Sequence, residues 1–396
     1  MTGHTTGRIV LLGDSDPVTL VAAVHAVRAD GGIPLVGDER WSESYRRGVT
    51  ESLASAEPAA DAAWATLTSG STGVPRIVLR THESWSGSFA PVAALLGVEP
   101  GDVLYLPSPP VSSLSLFSIA HAAAAGFALA LPRTRAVSAP DFAVATLFHG
   151  TPRALRSVVE ILEADAGAAR RHRLRAALVG GSDLDPVLRA RAERLGLRVV
   201  SYYGAAELSF VAADRGDGLR AFAGVELATR EGELWVRSPY RALGYLHPDE
   251  RQALRVDAQG WATVGDLAEL GGVDPADPVL TLHGRRDGAI LSASATVVPG
   301  DVEAVLRALP GVLDAVVLGV PNAGVGELVA AVIETATDGT APTAAALRLR
   351  VADSLTPSHR PRLWFGMPEL PRTTTGKPAR SELHRRVLAG EVAPLD

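Results

Sequence analysis

Two periods of apolar spacing run along the chain. The stretch Arg8 to Asp14 (RIVLLGD) is short, apolar and closed by turn formers, which predicts a buried strand. Leu20, Val21, Val24 and Val27 then recur at helical spacing between Pro17 and Ala29, and Gly31-Gly32 stops that helix before a second strand in GIPLVGD. A clearer unit lies downstream: a strand over Leu174 to Gly181, a helix over Asp185 to Gly196 and a strand over Leu197 to Gly204. Asp185 and Pro186 supply the cap and first turn of that helix, and Gly196 its end. Strand, helix, strand at this spacing is how parallel sheets are written, so the first two thirds predict an α/β domain with mostly parallel sheets.

After GELWVRSP (Gly232 to Pro239) the strands shorten and turns multiply. From about Gly284 the pattern changes again. It predicts a helix over Asp301 to Leu309, strands over Ala315 to Val320 and Leu328 to Thr335, and a helix over Thr343 to Leu355. A strand over Arg362 to Phe365 and a helix over Ala379 to Leu388 complete a small C-terminal α+β domain, residues 284–396, joined to residues 1–283 by the HGRRDG turn. There is no internal repeat, coiled-coil heptad or low-complexity tract.

Composition narrows the function classes. The chain has 396 residues, and at about 100 to 200 residues per domain it should hold two or three domains. A net charge of -6 and 5% aromatic residues argue against nucleic acid or an anionic membrane as partner, leaving small molecules. Zero cysteines exclude disulfides and thiol catalysis. The N-terminus lacks a charged segment followed by an apolar one, and the longest apolar run, Ile119 to Leu131, contains His121 and is short of the roughly 18 residues that span a bilayer. A cytoplasmic location is expected. Lys377 is the only lysine among 38 basic residues. Either arginine-biased coding left one behind, or this position needs the compact ammonium that a planar guanidinium cannot imitate.

Candidate chemistry begins at Leu67-Thr68-Ser69-Gly70-Ser71-Thr72-Gly73-Val74-Pro75-Arg76. Glycines let backbone amides approach an anion and hydroxyls add donors, so this loop can wrap phosphates, although its composition also suits a surface linker. It is not a Walker loop, because the Gly-Lys-Ser/Thr ending is missing. The loop resembles the phosphate-binding loop of the adenylate-forming superfamily of acyl-CoA synthetases, adenylation domains and luciferases. Further stretches follow in that family's order. SYYGAAE (Ser201 to Glu207) resembles its Tyr-Gly-x-Thr-Glu motif, and GELWVRSPYRALGYL its Gly-Glu-Leu strand and following Gly-Tyr. GWATVGDL (Gly260 to Leu267) resembles Trp-x-x-Thr-Gly-Asp-Leu; HGRRDGAILSASATVVPGDVE is similar to the Gly-Arg-x-Asp hinge and its loop; PRTTTGKPAR (Pro371 to Arg380) is similar to the Pro-x-Thr-x-x-Gly-Lys ending.

The resemblance implies a large ATP- and acid-binding domain with a mobile lid. Thr68, Ser69, Gly70, Ser71, Thr72 and Gly73 would cradle the ATP phosphates. Tyr203 would stack on adenine beside Gly204, with Gly180, Gly181 and Ser182 along the adenine and acyl pocket, which Ser112 and His149 also border. Glu207 would hold magnesium, and Asp266 and Arg285 the ribose. Lys377 would bridge the acid carboxylate and the α-phosphate. Asp287 would be the hinge, and Ser294 would stand at the thiol tunnel where the family has glycine.

Departures from the pattern refine the expectation. Arg76 replaces lysine, Ala206 a threonine beside Glu207, and Val264 a threonine near Asp266. Ser112 stands where acyl-CoA synthetases often have histidine and amino-acid adenylating domains an aspartate, so an α-ammonium lacks a partner and an aryl or short acyl acid is expected. The reading is an acid–thiol ligase using ATP and Mg2+ and passing the acyl group to coenzyme A or to the phosphopantetheine of an acyl carrier protein. Its rivals are an acyl-adenylate synthetase serving an amine and a nucleotide-binding pseudoenzyme.

Overall fold

The computed structural model describes every residue except 1–6, 14–15, 40, 42, 69–75, 133–136, 182, 248–253, 286–289, 293–294, 323–325, 337–340, 353, 356–358 and 374–375. At 44, 68, 166, 284–285, 291–292, 295–296 and 326 only the backbone is described.

The chain opens with β1 (Ile9–Leu12), α1 (Pro17–Ala29) and β2 (Ile33–Val36), whose strands pair in parallel. Asp16 caps α1 by accepting from the Thr19 amide, and Pro17 follows at the first turn. α2 (Glu43–Ala54) leads to an antiparallel pair, β3 (Trp64–Thr68) and β4 (Arg76–Arg80). Next come α3 (Glu83–Leu96), β5 (Val103–Tyr105), α4 (Ser113–Ala125), β6 (Ala128–Ala130), α5 (Ala139–Phe142) and β7 (Leu147–Gly150). α6 (Pro152–Ala164), α7 (Ala166–Arg171), β8 (Ala176–Gly180), α8 (Pro186–Arg194) and β9 (Arg198–Ala205) complete a parallel array in the order β6-β5-β7-β8-β9.

Side-chain alternation explains why both faces of this array are covered. Along β8, Ala176 and Leu178 pack with Trp85 and Val92 of α3 and Leu116 and Ile119 of α4. Ala177 and Val179 point the other way, into Leu155, Val158 and Leu162 of α6 and Leu188 of α8. A period of two buried on both sides leaves a strand with no polar face, which is the apolar run that the sequence carries there.

The expectation of mostly parallel sheets holds only as far as β9. Beyond it the same sheet continues antiparallel through β10 (Ser209–Asp214), β11 (Leu219–Ala221), β12 (Glu226–Arg230) and β13 (Glu233–Arg237). β14 (Gly244–Tyr245) leaves it to pair with β4, and β15 (Arg255–Val256), β16 (Ala262–Thr263), β17 (Asp266–Gly271) and β18 (Val279–Arg285) rejoin it. The sheet is therefore mixed: after β9 no helix intervenes among these strands in the described residues, and short connections can join only antiparallel neighbours.

The C-terminal unit has β19 (Ile290–Ser292), β20 (Ala295–Val297), α9 (Pro299–Arg307), β21 (Val312–Asn322), β22 (Gly326–Thr335), α10 (Ala344–Val351), β23 (Leu363–Met367) and α11 (Arg380–Leu388). Its sheet is antiparallel except for the β22–β23 pair, with α9 and α10 packed on one face and α11 on the other. The boundary expected at 283/284 falls within the last residues of β18. No helix among the described residues is long and apolar enough to cross a membrane.

One close approach constrains the sheet. A Cβ on Gly204 would stand 2.2 Å from the Ser209 carbonyl oxygen, because β10 turns back across β9 with Ser209 at φ 61°. Gly204→Ala should therefore cost about 1–3 kcal/mol of unfolding free energy, read by urea denaturation, since a backbone atom has to move. A change under about 0.5 kcal/mol would refute that packing.

Candidate active site

The parallel register sets Gly180 of β8 beside Tyr202 of β9. The tyrosine ring crosses the glycine so closely that a Cβ there would lie 2.2 Å from Cζ, so the position admits no side chain. From this seat the Tyr202 hydroxyl meets His149 Nε2 at 3.1 Å, and His149 Nδ1 meets Ser118 Oγ on α4 at 2.8 Å. Two strands and a helix thus contribute one polar chain, with Phe210 packed against Tyr202 at 4.5 Å between ring centroids. Burial, reinforced by His121, pulls His149 down to about 3, so its imidazole is neutral. His121 is pulled down to about 4 by burial; it stacks on Phe89, and its Nε2 has no hydrogen-bond partner among the described residues.

On the following turn, Gly181 takes φ +97° and faces the C-terminal unit. A Cβ there would have Thr151 Cγ2 at 3.7 Å and Lys377 Cε at 3.9 Å, so the lone lysine reaches over the end of β8. Its loop is a tight one: the Thr373 amide donates to the Lys377 carbonyl at 2.7 Å, and Gly376 sits at φ +84°. Arg372 ties that loop to the lid sheet, donating to Asp314 at 3.0 Å and Glu334 at 2.7 Å. Arg153 on α6 and Glu369 form a 2.7 Å ion pair between the two units, exposed and so worth little by itself.

Neighbouring Tyr202 along β9, Tyr203 turns to the opposite side, where its hydroxyl donates to Asp266. Asp266 is in register with Arg285 across β17 and β18, so the two residues expected at the ribose face each other on one ladder. Glu207 follows in the turn after β9 and is buried. Its Oε1 accepts from the Tyr245 hydroxyl at 2.8 Å, which with burial pushes the Tyr245 pKa up; no hydrogen bond reaches Oε2 among the described residues. Arg80 of β4, fully buried, donates to the Ala206 and Tyr240 carbonyls; burial pulls its pKa down to about 9 while Glu207 opposes the shift.

The structure thus brings Gly180, Gly181, Tyr203, Gly204 and Glu207 to the ends of the adjoining strands β8 and β9, with Asp266 of β17 met by Tyr203 and Lys377 placed over Gly181. Thr68 and Arg76 pair at the mouth of the β3–β4 hairpin. Ser69, Gly70, Ser71, Thr72, Gly73, Ser182, Asp287 and Ser294 lie outside the described residues, and Arg285 is described by backbone alone. Ser112 is engaged as the N-cap of α4, accepting from the Ser115 amide at 3.1 Å. Sequence reasoning missed Ser118, Tyr202, Tyr245 and Arg80. Only Arg80 had a signal, a charge inside the apolar run Ile77-Val78-Leu79.

A magnesium ion suits this donor set. No cluster of three or more histidine or acidic side chains occurs among the described residues, and a hard cation that keeps waters and shares substrate phosphates needs only one or two carboxylates. Glu207 supplies one, oxygen-donating and held in place.

The sequence profile of the AMP-binding enzyme family matches residues 8–246, and that of the AMP-binding enzyme C-terminal domain matches residues 301–377. The chain belongs to the AMP-binding enzyme family. Among its relatives, a probable 2-succinylbenzoate–CoA ligase of Mycobacterium tuberculosis is 33% identical over 346 residues, covering 84% of this chain and 86% of that protein. A 2-succinylbenzoate–CoA ligase of Geobacillus kaustophilus is 29% identical, covering 81% and 68%. The o-succinylbenzoate CoA synthetase of Bacillus subtilis, solved with its acyl-adenylate intermediate, superimposes with a TM-score of 0.79 at 21% identity, covering 95% of this chain and 88% of the other. ATP-bound MatB from Rhodopseudomonas palustris gives 0.80 at 20% identity, covering 97% and 89%.

The buried neutral histidines set a pH dependence. Their ordinary value is 6.5 and their folded values are near 3 and 4, so below pH 6.5 the unfolded chain binds more protons and stability falls as pH falls. His121→Phe, which keeps the stack on Phe89, should flatten the decline of melting temperature between pH 6.5 and 4. An unchanged slope would refute the assignment.

Proposed function

We propose that this AMP-binding enzyme activates an aromatic carboxylic acid with ATP and passes the acyl group to coenzyme A. In the first half-reaction a carboxylate oxygen forms a bond to the α-phosphorus and pyrophosphate leaves; in the second, a thiolate attacks the acyl carbon and AMP leaves. The observation that carries this reading is the placement of Lys377 against Gly181, which sets one compact cation from the lid over the end of β8. There it can offset the charge of a carboxylate and a phosphate as they are driven together.

The other groups divide the work by position. Tyr203, Asp266 and Arg285 take the nucleoside, and the loop 69–75, closing the β3–β4 hairpin, takes the phosphates. When bound, magnesium would neutralise phosphate charge, with Glu207 as its carboxylate. Gly180, His149 and Tyr202 border the acid. The rings of Tyr202 and Phe210 favour a flat aromatic substrate, and a neutral His149 suits a polar, uncharged contact on it. The named activity of the curated relatives supports both the aromatic acid and coenzyme A. An acyl carrier protein's phosphopantetheine presents the same thiol and is the alternative donor of that group. Both ATP and coenzyme A are cytoplasmic substrates, which is where we place the enzyme.

Pyrophosphate exchange into ATP across a panel of acids beginning with 2-succinylbenzoate should identify the substrate. Exchange without coenzyme A consumption would move the acceptor to a carrier thiol or an amine. Lys377→Ala should lower acid-dependent exchange by about two to three orders of magnitude while ATP binding by calorimetry stays within a few-fold. Near wild-type exchange in that variant would remove the central role assigned to the lysine.

Asp287 is the proposed hinge about which the lid turns between the two half-reactions. Asp287→Pro should slow thioester formation far more than pyrophosphate exchange; equal loss of both steps would count against a turning lid.

A further inference from the structure

Arg80 is an arginine with no ion pair among the described residues, shut completely inside the protein. Leaving water costs a guanidinium dearly unless every donor is matched, and here the matches are neutral carbonyls and a hydroxyl. Nε and Nη2 both donate to the Ala206 carbonyl, at 3.0 and 2.8 Å; Nη1 donates to the Tyr240 carbonyl at 2.7 Å and to Ser84 Oγ at 3.2 Å. A methionine or leucine would fill such a place in an ordinary core more cheaply.

What the fork joins explains why it is there. Ala206 immediately precedes Glu207, and the Glu207 carbonyl accepts from the Ala242 amide at 2.7 Å, two residues beyond Tyr240. Arg80 therefore spans a closed bracket: its own guanidinium, the Ala206–Glu207 peptide, and the 240–242 segment. The Glu207 carboxylate is held separately, by the Tyr245 hydroxyl. Tyr245 lies on β14, in register with Val78 of β4, the strand that also carries Arg80 and that leaves the phosphate loop at Arg76. Both restraints on Glu207 thus issue from the β4–β14 pair. The carboxylate is tied to that strand pair from both sides.

We infer that Arg80 is a positioning residue that fixes Glu207 against the β4–β14 pair, so that Oε2 faces the divalent cation carried by ATP. This rests on the reading of Glu207 as the magnesium carboxylate. Lysine cannot replace arginine here, because a single ammonium cannot hold two carbonyls in a plane at these distances.

The test is nucleotide binding by calorimetry on the full chain, with AMP and with β,γ-methylene ATP, each with and without Mg2+. Arg80→Lys should bind AMP as the wild type does, yet lose about tenfold or more of the Mg2+-dependent gain in affinity for the methylene analogue. The KM for ATP should rise at low Mg2+ and recover as Mg2+ is raised. A full Mg2+ gain in Arg80→Lys, or an equal loss of affinity for AMP and for the analogue, would overturn the proposal. Ser84→Ala loosens the same guanidinium without leaving a charge bare and should reduce the gain about threefold. If Arg80→Lys does not fold, an unchanged gain in Ser84→Ala overturns it instead. A wild type without any Mg2+ gain sinks the magnesium reading of Glu207, and the inference with it.

Discussion

The pairing of β8 with β9 in parallel is the constraint on which the site depends. Two adjacent parallel strands end at the same edge of a sheet, and the chain must leave both in loops at that edge. Gly180 and Gly181 leave β8 there, while Tyr202, Tyr203, Gly204 and Glu207 leave β9. Successive residues on β9 serve opposite sides: Tyr202 turns towards His149, and Tyr203 towards Asp266. One strand therefore separates the side proposed for the acid from the side proposed for the nucleoside, and the lysine of the C-terminal unit lies over the strand beside it.

The lid solves a problem that this edge cannot solve alone. A site open enough to admit ATP and an acid is wet, and a lone cation in water does little for charge rearranging between two anions. The proposed turning of that unit would let the charge come and go. The unit then needs a rigid base for that lysine. Arg372, bonded to Asp314 and Glu334 at the edge of a well-packed sheet, gives the Lys377 loop such a base. Between the units, Arg153 and Glu369 form an exposed ion pair that contributes little by itself.

Arginine dominates the cations of this chain, and its placements show two uses. On the surface it makes ordinary pairs, such as Arg237 with Glu226. Inside, at Arg80, it works through its geometry, bonding main-chain oxygens of separate segments into one piece. Lysine has neither the fork nor the planarity for that task, and the one lysine stands where the proposed chemistry needs a compact charge.

Much of the fold was legible because it is local. Apolar runs marked β1, β2, β8 and β9, the cap at Asp185 marked a start, and glycine at Gly196 marked an end. Glu207, Asp266 and Lys377 could be proposed from the sequence because the stretches that hold them resemble motifs of a known family. The mixed sheet could not, because strand direction depends on which strands become neighbours. Nor could Tyr202, Tyr245 and Arg80: each acts on residues distant in the chain, Arg80 on a carbonyl 126 residues away, and nothing near it in sequence names that partner. Patterning determined which segments are strands and which residues carry charge. Tertiary structure alone decided which of them meet, because a hydrogen bond requires two atoms about 3 Å apart, and that distance is set by the packing of the whole sheet.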